Sequence, residues 1–92
     1  MRGTFQMKIG SGTQEVKYSA SFWLFGLTLV CHKSQFGWKC SELSTGYFVD
    51  YSYARTMEES IHQARLFLLG KGETIVLEQV EKRLDEIAKR SK

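Results

Sequence analysis

The chain has 92 residues, 42% of them hydrophobic and 25% charged, with a net charge of +3. This is one domain, 1–92, with enough apolar content for a core, which excludes a disordered chain. No apolar run reaches the roughly 18 residues of a membrane span, and the N-terminus lacks the charged-then-apolar pattern of a secretory signal, so a cytoplasmic protein with no membrane contact is expected.

Strands are expected through residues 1–55. In "TFQMKI" (4–9), Phe5, Met7 and Ile9 alternate with Thr4, Gln6 and Lys8, the period of a half-buried strand. "GSG" (10–12) is a turn, and "TQEVKYSASFWLF" resumes the extended pattern with Val16, Tyr18, Ala20, Phe22 and Leu24 on one side, so the two runs form a hairpin. Gly26 interrupts the apolar run "SFWLFGLTLVCH". Phe25-Gly26 lacks Asn-Gly or Asp-Gly turn chemistry, so a bulge within one long strand is expected. After the loop "KSQFG", "WKCSEL" and "YFVDYSYA" read as strands joined by "STG", with Gly46 at a left-handed hairpin position.

The period then changes. Thr56 followed by Glu59 fits a capping box, with Glu58 and Glu59 at the positive end of the helix dipole. A first helix spans 56–69, with Met57, Ile61, Ala64 and Leu68 as its apolar stripe; "GKG" breaks it, and a second spans 73–90 with Val76, Val80, Leu84 and Ile87 inward. Glu78/Lys82, Asp85/Lys89 and Glu86/Arg90 stand at i,i+4, which marks a solvated outer face. The order gives an α+β fold: an antiparallel meander of three to four strands with two helices packed on one face.

Alternation sorts the aromatic rings. Tyr47, Val49, Tyr51 and Tyr53 share one face of the last strand and are expected under the helices; Phe48, Asp50, Ser52 and Ala54 share the other. If the sheet's second face is uncovered, Trp23, Phe25, Leu43 and Phe48 form an exposed apolar patch, with Phe36 in a nearby loop and Lys33, Lys39 and Arg55 at its rim. Such a patch on a small domain marks a partner surface or a homodimer contact.

Catalytic signatures are weak. Cys31 and Cys40 read as reduced core thiols, with a cross-strand disulfide as the alternative if their strands abut. Cys31 and the adjacent His32 point to opposite faces of a strand, which argues against a shared metal, and no phosphate-binding or dinucleotide fingerprint is present. His32 is expected on a strand surface and His62 on a helix face. No enzyme, metal or cofactor is expected. Residues 1–55 carry six basic and three acidic side chains, and 56–92 carry seven of each, so the excess lies with the aromatic half and is too sparse for a dense nucleic-acid stripe.

The stretch "WKCSELSTGYFV…RTMEESIHQA" resembles small β-β-β-α proteins of phages and mobile elements, among them anti-CRISPR-type inhibitors, double-stranded-RNA-binding-like modules and antitoxins with a partial RNase-H-like sheet. The acidic "TMEES" departs from the lysine cluster of the RNA-binding modules. The resemblance implies a non-catalytic module that occludes a host protein such as a CRISPR or other defence nuclease in the host cytoplasm. The alternative is a small nucleic-acid-binding domain using aromatic stacking and Lys/Arg phosphate contacts. For either, the expected contact residues are Trp23, Phe25, Lys33, Phe36, Lys39, Phe48 and Arg55.

Overall fold

Strand β1 (Gly3–Ile9), β2 (Gly12–Leu24), β3 (Leu27–Ser34) and β4 (Gly37–Glu42) precede two helices, α1 (Met57–Lys71) and α2 (Glu73–Arg90), in the computed structural model, which describes residues 2–35 and 37–90. The strands pair antiparallel in the order β1-β2-β3-β4. This is the α+β arrangement that the change of period implies.

One face of the sheet carries the main core. Phe22, Leu29, Cys31 and Cys40 point toward the helices and meet Ala64 and Leu68 of α1, Val76 of α2, and Val49. Burying a side chain of this kind contributes about 1.5–3 kcal/mol each. The hydroxyl half of the expected capping box is present: Thr56 has extended φ/ψ, and its Oγ1 accepts a hydrogen bond from the Glu59 N–H at 3.2 Å. Gly72, at φ 92°, ends α1 and leads directly into α2. Val76 and Val80 of α2 are buried, whereas Leu84 is 40% exposed, so the core follows only the first half of that helix's stripe.

Gly26 does not mark a bulge. Leu24 pairs with Leu27, and Phe25 (φ 55°) and Gly26 (φ 77°) form a two-residue turn with both residues left-handed, the geometry that matches strand twist. The Phe25 side chain packs on the core, which offsets a backbone strain of roughly 1–2 kcal/mol. The bulge lies instead at Ser19, where the β2–β3 register shifts between Tyr18 and Ala20.

That shift accompanies a coiling of the sheet. β1 and β4 are opposite edges, yet the Lys8 N–H donates to the carbonyl of Gly46, just beyond β4, at 2.8 Å. The β1–β2 hairpin therefore folds across the face turned away from the helices. Phe5 packs against the His32 ring, 5.1 Å between centroids, and Val30, His32, Ser41 and Thr45 are buried there. The expected open face is thus largely a second core, and His32 is buried within it. The His32 Nδ1 meets the Lys33 carbonyl oxygen, which can only accept, so Nδ1 carries the proton and Nε2 accepts from the Ser41 hydroxyl at 2.8 Å.

Residues 47–54 do not form a regular strand. They run beside β4 through isolated bridges, Phe48 to Ser41 and Ala54 to Trp38. The β4 edge is nonetheless satisfied. Glu42 N–H donates to Tyr47, Val49 N–H donates to Cys40, and Trp38 and Ala54 exchange both bonds. A turn at Asp50-Tyr51, with Tyr51 at φ 63°, breaks the alternation. Val49 and Ser52 point inward, while Tyr51 and Tyr53, expected beneath the helices, point out.

Two outcomes follow. Gly46→Ala, at φ 76° with a Cβ that would collide with the Gln6 carbonyl oxygen, is expected to lose about 2 kcal/mol or more in urea unfolding. Burial, and secondarily the Lys39 charge, push the His32 pKa below its ordinary value near 6.5. The unfolded chain therefore takes up the proton first, so stability is complete above about pH 6.5 and falls as the pH drops below it. His32→Gln is expected to flatten that slope in unfolding measured across the interval.

Candidate functional site

Segment 47–54 is fixed by one buried serine. Ser52 Oγ accepts from the Cys40 N–H at 3.0 Å and donates to the Val49 carbonyl at 2.6 Å, and the Ser52 carbonyl accepts from Ser60 Oγ of α1 at 2.7 Å. One residue thus ties β4, the segment and the first turn of α1 together. Ser52→Ala leaves the Cys40 N–H without an acceptor in a dry site and is expected to cost about 1–3 kcal/mol in chemical denaturation.

So held, the segment forms one wall of a cavity of about 90 Å³ closed by both helices. Its lining is largely apolar, with Leu27, Leu29 and Val49 from the sheet side and Phe67, Leu68 and Val80 from the helices. Ile75, 56% exposed, stands at the mouth. Tyr51 leans on Phe67, 5.4 Å between centroids, and extends the aromatic surface outward. Two cations lie over rings at this opening, Lys71 over Phe67 (5.4 Å) and Arg83 over Tyr47 (4.0 Å), whereas Lys39 lies over Phe48 (4.7 Å) on the sheet face that carries its register partner His32. Each such contact is worth about 0.5–1 kcal/mol where exposed and holds the charge in place.

Two carboxylates adjoin the cavity. Those of Glu42 are satisfied internally by the N–H and hydroxyl of Ser44 and the N–H of Thr45, all at 2.8–2.9 Å. Asp50 is exposed on the lip.

The residues expected to make contacts are only partly gathered here. Phe48 borders the cavity, and Lys39 covers its ring from the sheet face that carries His32. Arg55 joins the cavity rim through Tyr51, because Arg55, Tyr51 and Tyr53 share a shallow neighbouring surface with Glu59 and Gln63. Trp23 is 79% exposed but stands three strands from Phe48, about 15 Å away, with the buried Val30 and Ser41 between. Phe25 packs on the core and offers no free ring. Lys33 pairs with Trp38 and Lys39 with His32, so the two lysines lie on opposite faces and cannot rim one patch. Phe36 lies outside the described residues.

Sequence reasoning missed Phe67, Lys71 and Arg83. The signal was there: Phe67 and Lys71 stand at i,i+4, and Arg83 sits inside the inner stripe of α2, three residues after Val80 and four before Ile87.

The cysteines are register partners on β3 and β4, both buried and both free thiols, so the abutting strands carry no disulfide. The Cys40 thiol donates toward Cys31, which raises the Cys40 pKa and lowers that of Cys31, with burial opposing the latter. Cys40 also meets Ser60 Oγ at 3.4 Å. His62 is exposed on α1, as expected. Among the described residues no group of three or more His, Cys, Asp or Glu is placed to hold a metal. Among the described residues no helix is long and apolar enough to cross a membrane.

No known protein family, curated protein or solved structure matches this chain.

Proposed function

We propose that this chain is a non-catalytic protein-binding module that grips its partner with the aromatic rim of the cavity between segment 47–54 and the two helices. The observation that carries this reading is Tyr51. It is a non-glycine residue at φ 63°, 81% exposed, lying against Phe67 at the cavity mouth. A left-handed tyrosine costs about 1–2 kcal/mol that glycine would not, and strain of this kind is retained where a side chain is needed at one place. Aromatic and cationic anchors around a desolvated pocket are the usual centres of protein interfaces.

The burial of both thiols beneath α1 supports a binding rather than a nucleophilic role. The placement of Lys33 and Lys39 on opposite faces favours a protein partner over a phosphate backbone. The finer reading, an inhibitor that occludes a host defence nuclease, rests on the resemblance to phage and mobile-element proteins alone.

The test is affinity capture from a bacterial lysate, with mass spectrometry, comparing the native chain with Tyr51→Gly and Phe48→Ala. Both variants are expected to lose the captured partner. Tyr51→Gly is expected to melt at or above the native temperature, because removing the strain raises stability while removing the anchor weakens binding. Capture that is unchanged in both variants, or binding only to nucleic acid in a manner that falls steeply with salt, overturns the reading.

A further inference from the structure

Cys31 and Cys40 face each other across β3 and β4, and we propose that they are a modification site at which hydrogen peroxide reversibly forms a cross-strand disulfide. Backbone hydrogen bonding sets the geometry of the pair. The Cys40 N–H donates to Ser52 Oγ at 3.0 Å, and the Cys40 carbonyl accepts from the Val49 N–H at 2.7 Å. Both groups therefore point away from β3, as do those of Trp38, which exchange bonds with Ala54. Cys31 and Cys40 are thus a non-hydrogen-bonded register pair, the closer of the two kinds, with Cα atoms about 4.5 Å apart in antiparallel sheets. Disulfides span Cα separations of about 4.4–6.8 Å. Two thiols so placed can join without a change of register, and a bond at the short limit of that range is readily reduced again.

Both thiols are buried and free, so the structure holds the reduced pair. Hydrogen peroxide is little larger than water and reaches the sulfurs when the first turn of α1 lifts. The Cys40 thiol donates to Cys31 and holds the Cys31 pKa down, against the effect of burial, so Cys31 reacts first. Its sulfur takes one oxygen from peroxide as the O–O bond breaks, giving a sulfenic acid and one water. The Cys40 sulfur then displaces that hydroxyl, which leaves with the Cys40 proton as a second water, and the S–S bond forms. The pair has given two electrons and two protons to peroxide. Two contacts with α1 change as a result. Cys31 Sγ no longer carries a hydrogen for the Met57 carbonyl oxygen, 3.9 Å away, and Cys40 Sγ is drawn toward Cys31 and off Ser60 Oγ, 3.4 Å away. Met57 and Ser60 lie in the first turn of α1, so oxidation loosens that turn on the sheet.

The experiment treats the full native chain with hydrogen peroxide, blocks the remaining thiols with iodoacetamide and reads the mass before and after trypsin. Lys33 and Lys39 lie between the two cysteines, so trypsin places them on separate peptides. The expected product has lost about 2 Da, joins the Cys31 peptide to the Cys40 peptide, and returns to the thiol form with dithiothreitol. In the ¹⁵N-labelled chain the amides of Met57 and Ser60 are expected to shift on oxidation and to return on reduction. Cys40→Ser is expected to accumulate a sulfenic acid on Cys31, trapped by dimedone, and Cys31→Ser to trap none on Cys40. The linkage in the native chain decides the proposal even where a serine in this core does not fold. A native chain that keeps both thiols while the urea-unfolded chain is oxidised, or a bond that forms only between two chains, overturns the site. A dimedone tag on Cys40 alone overturns the order of reaction, and unmoved Met57 and Ser60 amides in the oxidised chain overturn the loosening of α1.

Discussion

The Ser52 hydroxyl is the point on which the surface depends. It accepts from β4 and donates back into its own segment, while its carbonyl holds Ser60 at the start of α1. That junction adds a polar tie to the apolar contacts of Val49 with Ala64 and Leu68 and of Tyr51 with Phe67 that also hold residues 47–54 against α1. Tyr47, Phe48 and Tyr51 are carried by the same segment, so their positions follow from a hydroxyl with no exposed surface to speak of. A small polar group, fully satisfied inside a core, specifies geometry more sharply than another apolar contact would.

Coiling of the sheet decides which rings remain available. A flat meander with helices on one side would expose a broad oily face. Here the β1–β2 hairpin folds over that face, and Phe5, Val30 and His32 are consumed in a second core. Apart from Trp23 on β2, the exposed rings among the described residues are those beyond β4, Phe48, Tyr51 and Tyr53. The surface proposed for binding therefore lies not in the middle of the sheet but at the junction between its last edge and the helices, where side chains from three separate elements converge.

What could be read from the sequence follows the range of the interactions involved. Thr56 and Glu59 are neighbours, so the start of α1 was legible to the residue. The stripe Ala64 and Leu68 reports a local period and was equally clear. Gly46 was recognised as a backbone position, but its bond to Lys8 joins opposite edges of the sheet, and no local pattern announces such a partner. Alternation misplaced Tyr51 and Tyr53 because a single left-handed residue reverses the register of all that follows it, and tyrosine at that position carries no turn signature. For the same reason Phe25-Gly26 looked unlike a hairpin turn. Grouping Trp23 with Phe48 assumes an uncovered plane, which the β1–β2 hairpin removes.

The irregular segment beside β4 has one more effect. It occupies the outward N–H groups of Trp38 and Glu42 with carbonyl oxygens, and that of Cys40 with a hydroxyl. A sheet border whose donors are already spent cannot template an incoming chain, so this molecule is guarded there against edge-to-edge polymerisation. Whatever it meets along that border has to be recognised through protruding groups, and not by lengthening the sheet by another strand.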